Sequence, residues 1–562
     1  MRLAVLGLCL ASGSCARAAG GPVLGHAAPS GFSEVGGTMG LCESLFSGGH
    51  EKRFIRQTLG QGLAWIDVEG DGDLDLFAPS GPADFAGLGD ARPSEPWRLW
   101  ILEDGRFVEG AAAAGLDGRG WGLGCAVGDV DSDGRPDLFV TVADGPDRLF
   151  RARGDGTFED RTESSGLGSP QLSTGAAFGD LDRDGDLDLV VAAYLDESRP
   201  PPGPCHWKGK EVMCGPKGFP PLEPTLWRND GSGRFERTDA LAGYLGYGLG
   251  VLLFDANGDG ALDVYVANDS SPNHFFVNHG HGRFEERGLF AGVALGSSGT
   301  SQAGMGVDAG DLDGDGRMDL VVTNFSDDVH NLYHNEADGF FRDIADRTGL
   351  ARASFSRLGW SVILEDFDLD GDVDVFLANG HVYPEVDAFD SGTSYRQAPQ
   401  LLFNDGRGGL TEAPERLGSA FSEPINARGA AAADVDSDGD LDLALVRDGA
   451  PPLLFLNHLP APGTHWLVVR LVGGPPNTEA IGARVELLTT GRTQVREVRR
   501  NRGYLSSSSP LVHFGLGRAT EARELLVTWP DGATERRPVE GVDRVVVLSR
   551  SVPPAGRRRN EG

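Results

Sequence analysis

Beyond its first residues the sequence lacks any run of about 18 consecutive apolar residues, so no later segment is long enough for a transmembrane helix. It has no Gly-x-Ser-x-Gly elbow, no His-Glu-x-x-His helix and no phosphate loop, which removes the usual motifs of hydrolytic and nucleotide chemistry. Basic residues are few: 50 Lys and Arg stand against 83 Asp and Glu, for a net charge of -33. That imbalance excludes nucleic acid and anionic membrane as natural partners. An acidic disordered chain is excluded in turn, because 40% of residues are hydrophobic and 28 are Phe. Cysteine is scarce at six residues.

The N-terminus has Arg2, an apolar run from Leu3 to Leu10 and then small residues, so residues 1–19 read as a signal peptide. Cys15, after Ser12, Gly13 and Ser14, also admits a lipoprotein cleavage and an N-terminal lipid anchor. The mature protein is expected to be extracytoplasmic: periplasmic, secreted or tethered to an outer membrane. In an oxidising compartment Cys42, Cys125, Cys205 and Cys214 can pair in three ways. The closeness of Cys205 to Cys214 favours that pair, with Cys42 to Cys125 as the other.

What the sequence has in abundance is an acidic ladder, repeated seven times, with an acid or amide at positions 1, 3, 5 and 9 and Gly at position 6. The copies are Asp67, Glu69, Asp71 and Asp75; Asp129, Asp131, Asp133 and Asp137; and Asp180, Asp182, Asp184 and Asp188. They continue with Asp255, Asn257, Asp259 and Asp263; Asp311, Asp313, Asp315 and Asp319; Asp366, Asp368, Asp370 and Asp374; and Asp434, Asp436, Asp438 and Asp442. Gly permits a sharp turn that brings four oxygen donors together, and hard oxygen ligands suit Ca²⁺ better than Mg²⁺. The expectation is Ca²⁺ at several sites, up to seven. Helix-loop-helix calcium sites are a poor match, since the last carboxylate comes at 9 rather than 12 and β-rich runs flank the loop.

The ladders start 62, 51, 75, 56, 55 and 68 residues apart. Each is followed by a hairpin-like turn and an aromatic residue, as at Asn229-Asp230-Gly231 and Asn278-His279-Gly280. This predicts an all-β fold, a seven-bladed β-propeller over residues 30–460 with calcium in its blade loops; a straight solenoid is the competitor. An insert rich in Pro and Gly spans residues 196–224, and another runs from Gly380 to Pro399. From His465 the ladders stop and alternating strands predict a small β-rich C-terminal domain at residues 463–550, followed by a disordered tail at 553–562.

These motifs resemble the bacterial cartilage-acidic-protein-related proteins, with FG-GAP/VCBS (integrin-α-like) repeats and a C-terminal ASPIC/UnbV domain. The C-terminal resemblance rests on Glu479 through Arg484, Gly503-Tyr504-Leu505-Ser506, His513-Phe514-Gly515 and Trp529-Pro530-Asp531-Gly532. Ser507 stands where family members often have Gln. The resemblance implies a seven-bladed propeller with Ca²⁺ in the loops that join blade strands. The insert Cys205-His206-Trp207-Lys208-Gly209 through Cys214 also resembles a recurring signature of the family. His206, Trp207, Lys208 and His381 are its ligand-site candidates. The function expected is an exported, calcium-stabilised binding or protein-interaction module with a protein or glycan ligand. The alternative is an extracytoplasmic metal-dependent or redox enzyme using the Cys205–Cys214 insert.

Overall fold

In the computed structural model, the residues described are 31–87, 94–118, 120–168, 171–201 and 203–550. The expected signal peptide, Cys15 and the tail at 553–562 lie outside them. Among the described residues the strands pair into ten sheets. Each acidic ladder joins the first strand of a sheet to its second, and the position-9 aspartate opens that second strand in all seven copies. In the third repeat, for instance, Ser173–Gly179, Asp188–Ala193, Thr225–Asn229 and Phe235–Thr238 form one antiparallel sheet. The strand Gly31–Glu34 is the outer strand of the last repeat sheet, paired with Leu453–His458.

The expectation of a seven-bladed β-propeller is corrected by this pairing. The repeats form small antiparallel sheets, none of which closes on itself, and the first is extended to six strands by Asn501–Arg502 and Ser506–Ser507 from the C-terminal region. A sequence period counts units; it does not specify how their edges are used. The sheets pack in sequence order through their first strands, such as Gly122–Gly128 on Ser173–Gly179 and Val307–Gly310 on Gly359–Glu365.

The apolar core is divided among these interfaces. Ile66, Leu99, Leu138 and Phe150 pack between the first and second repeat sheets. Leu252, Phe275, Leu320 and Tyr333 do the same between the fourth and fifth. Alternation along the strands aims one set of side chains at each neighbouring sheet, which is why the runs after the ladders are continuously apolar.

The C-terminal region forms a three-stranded sheet and a four-stranded sheet over His465–Ser549. They do not stand apart, since Leu467, Val485, Leu525 and Trp529 share a core with Phe139, Phe178 and Leu189 of the second and third repeat sheets. Between these two C-terminal sheets the chain leaves at Arg499, runs among the first strands of the repeat sheets and returns at Ser509. Gly503 exchanges backbone hydrogen bonds with Val307 at 2.8 and 3.0 Å. The Cys125 N–H donates to Leu505 O, that of Ser507 to Leu63 O and that of Ser509 to Ala432 O. The Tyr504 N–H donates to Ser361 Oγ, and Asn501–Arg502 touches the first strands of the third and fourth repeat sheets. All seven repeat sheets are thus contacted by this one segment. The approach is close: a β-carbon on Gly62 would stand 1.7 Å from Leu505 O.

Candidate functional site

The seven acidic loops share one geometry. The position-6 glycine has a positive φ of 79–101° in every copy, a region glycine enters without strain. That turn lets the position-1 aspartate accept the position-6 N–H at 2.8–3.1 Å. The position-9 aspartate is buried, and both of its oxygens are used. Oδ2 accepts the position-2 N–H of its own loop at 2.9–3.2 Å. Oδ1 accepts a backbone N–H from the third strand, from Leu102, Ala152, Asn229, Asn278, Asn335, Asn404 or Asn457, at 2.7–3.0 Å.

Without a cation, burial pushes these carboxyls up, Asp75 and Asp188 to about 7 and Asp137 to about 8. Such burial costs free energy unless a positive charge stands beside the group. Some loops find that charge in arginine. Arg151 pairs with Asp131 and Asp133, Arg228 with Asp182, Arg416 with Asp368 and Arg492 with Asp372.

Five of the seven ladders bring three ligand atoms within 4.8 Å of one another. Four do so with carboxylates alone: Asp129, Asp131 and Asp137; Asp180, Asp182 and Asp184; Asp366, Asp368 and Asp374; and Asp434, Asp436 and Asp442. The fifth joins Asp313 and Asp315 to His334, which the sequence had not pointed to. The loops at Asp67 and Asp255 gather no such set of three among the described residues. Glu69 is one methylene longer than aspartate, and Asn257 supplies an amide. Position 5 falls outside the three-atom set in the Asp129, Asp366 and Asp434 loops.

A second device escaped the sequence reading. Asn229, Asn278, Asn335, Asn404 and Asn457, which look there like ordinary turn residues, each donate Nδ2 to two buried carbonyls at 2.8–3.2 Å. One carbonyl belongs to position 8 of the same loop, the other to position 2 of the preceding loop. Each asparagine therefore ties its sheet to the one before it. The recurrence of Asn at one place in five of the seven units was the available signal.

At the Cys205–Cys214 insert, the two cysteines are bonded and close a hairpin of Cys205–Trp207 and Lys210–Val212. Trp207 packs near His381, Tyr383, Phe325 and Phe389, with ring centroids 5.4–6.3 Å away. Lys208 reaches Asp327 and Ser391 O, both at 2.6 Å. His206 is exposed on the outer side of the hairpin. His381 is buried; its Nδ1 accepts the Tyr383 N–H and its Nε2 meets Ser326 Oγ at 3.1 Å. Burial, with the nearby Arg428 charge, lowers it to about 3, so the ring is neutral. Trp207, Lys208 and His381 gather here, while His206 points away.

The expected Cys42–Cys125 pair is corrected. Cys125 is a free thiol, buried in the strand Gly122–Gly128 with Leu505 O 3.8 Å from its sulfur, and Cys42 is bonded elsewhere. Inner strands leave Cys125 no cysteine partner to face, and burial pushes its thiol well up, which makes it inert.

Comparison with known proteins agrees with the repeat and C-terminal motifs. Residues 80–140, 129–191 and 255–322 match the FG-GAP-like repeat, and residues 473–553 match the ASPIC and UnbV family. Cartilage acidic protein 1 of Mus musculus is 28% identical over 517 residues, covering 87% of this chain and 73% of that protein. The Homo sapiens protein is 28% identical over 520 residues, covering 87% and 72%. These curated relatives are vertebrate, which corrects the bacterial placement of the resemblance. Among solved structures, an Agrocybe aegerita lectin described as recognising non-reducing terminal N-acetylglucosamine has a TM-score of 0.36 at 16% identity, covering 63% of this chain and 79% of its own. A COPII outer-coat chain has a TM-score of 0.37 at 10% identity, covering 85% and 98%. Likeness at that level bears on neither fold nor function. No helix among the described residues is long and apolar enough to cross a membrane. The chain carries FG-GAP-like repeats followed by an ASPIC and UnbV segment, and is similar to the vertebrate cartilage acidic proteins.

Proposed function

We propose that this protein is an exported, calcium-stabilised binding or protein-interaction module. The observation that carries the reading is the convergence of ligand atoms in five ladders, three of which include a buried position-9 aspartate that gains from a positive neighbour. Calcium supplies that neighbour and accepts six to eight oxygens at flexible geometry. Short loops that wrap their donors around the ion hold it structurally, with the chemistry of recognition left to the surface. The aromatic group around Trp207, with Lys208 and the exposed His206, is the surface proposed to meet a protein or glycan. The Cys205–Cys214 bond supports an oxidising compartment.

The competing reading is an extracytoplasmic metal-dependent or redox enzyme built on the insert. It is disfavoured by two local facts: bonded sulfurs offer no thiolate, and His381 has both ring nitrogens engaged. Metal analysis of the purified protein separates the two. Several equivalents of calcium with a lowered melting temperature on chelation support the module. Stoichiometric copper or iron, lost on replacing His206 or His381, would support the enzyme instead.

A further inference from the structure

The loop at Asp311 differs from the Asp129 and Asp180 loops in one residue that changes its chemistry. The residue just before the one whose N–H caps the position-9 aspartate is Arg151 in the Asp129 loop and Arg228 in the Asp180 loop. In the Asp311 loop the same place, just before Asn335, is His334. Both arginines lie on loop carboxylates as fixed cations. A guanidinium has no lone pair to give a metal; an imidazole does.

His334 is placed to use it. Its side chain is 17% exposed, and Nε2 lies 2.9 Å from Asp313 Oδ2 and 3.9 Å from Asp315 Oδ2. On the far side of the ring, Glu336 Oε1 stands 3.7 Å from Nδ1, so Nε2, bonded to Asp313, is the ring nitrogen that faces the loop carboxylates. Asp311 is 6% exposed, and its Oδ1 has no hydrogen-bond partner. This buried carboxylate lies in the same loop as the other donors, with the Arg496 charge near it and outside the Asp313, Asp315 and His334 set. Arg317 pairs with Asp315, and an entering ion would displace it.

We propose that this loop binds a borderline divalent transition ion, of the zinc, cobalt or manganese class, through His334 Nε2, Asp313 and Asp315, while the oxygen-only loops take calcium. Mixed imidazole and carboxylate donors suit such ions, whereas calcium is served by oxygen alone. The proposal rests on the reading that the loops are cation sites, and adds that one of them has a different selectivity.

The test uses the full chain, stripped of metal, saturated with calcium and then exposed to Zn²⁺ or Co²⁺ before desalting and elemental analysis. The expected result is one retained transition-metal equivalent in the natural protein, with a visible Co²⁺ band. His334→Arg, which copies the Asp129 and Asp180 loops and keeps a cation beside the carboxylates, should lose that equivalent and the band. Circular dichroism of the variant checks that it is folded, and His334→Gln provides a neutral second variant. Retention of no equivalent in the presence of calcium, or the same equivalent in folded His334→Arg and His334→Gln, overturns the proposal. A chain that binds no calcium yet retains a His334-dependent zinc equivalent would overturn the calcium reading and leave this one standing.

Discussion

The acidic loops and the Arg499–Ser509 segment are both dense in charge, and they neutralise it in opposite ways. In the loops, carboxylates sit close together near the surface and share arginines or gather around a space for an ion. In the segment, Arg502 is buried against Glu365 and Asp308, and Arg499 donates to Ala309 O beside Asp308. A surface site can exchange its counter-charge with the solution; a buried one depends on a fixed partner. Stability at the loops is therefore set by the medium, and stability at the centre by the sequence.

Removing calcium should have the largest effect. Each loop filled at a hundred times its dissociation constant adds about 2.7 kcal/mol, and five loops converge. Calorimetry with and without chelator measures the sum, and an unchanged melting temperature after verified metal removal would end the contrast at its first term. Arg502→Ala comes next. It strands Glu365 and Asp308 in the interior, for a cost of about 3–5 kcal/mol by chemical denaturation in saturating calcium. A cost no larger than that of a surface arginine would mean that the centre is as forgiving as the loops.

His330 gives a pH-dependent test away from the loops. It is fully buried, and burial lowers it from 6.5 to about 3, with Nδ1 accepting the Asn324 N–H. The unfolded chain binds the proton first, so its contribution is complete above about pH 6.5 and is lost as pH falls toward 3. Between pH 6.5 and 5 the loss is about 2 kcal/mol. His330→Asn, which keeps an acceptor but does not titrate, should show a shallower fall in urea midpoints over the same range. The smallest effect expected is for Tyr504→Phe, which removes the hydroxyl donated to Leu59 O. It should cost about 1 kcal/mol, and a neutral result would assign the anchoring of the segment to its backbone alone.

The two regions also differ in how readable they were. Every carboxylate donor of a loop lies within nine residues of sequence, so Asp129 through Asp137 announces itself by spacing. The small sheets around the loops follow from the same local signals. The partners of the central segment lie far away: Tyr504 and Leu59 are 445 residues apart, and nothing local marks Arg502 as the partner of Glu365. Nothing local marks Ser507 and Ser509 either, whose N–H groups bond Leu63 O and Ala432 O of two repeat sheets. The Cys42–Cys125 pairing and the closed propeller failed for a related reason, since both ask which distant edges meet. His334 fell between: its neighbour Asn335 was in view, but its reach to Asp313 depends on strand register.

The placement of Arg499–Ser509 has a consequence for synthesis. The repeat sheets leave the ribosome before the residues that bond their inner strands exist, so all seven must wait for a segment made after them. A premature stop between Asp442 and Arg499 yields a product with every acidic loop intact and Asp308 and Glu365 without their arginines. Such a product carries its defect in the middle rather than at the cut, which makes the Arg499–Ser509 segment a check that the seven sheets have been followed by the region that joins them.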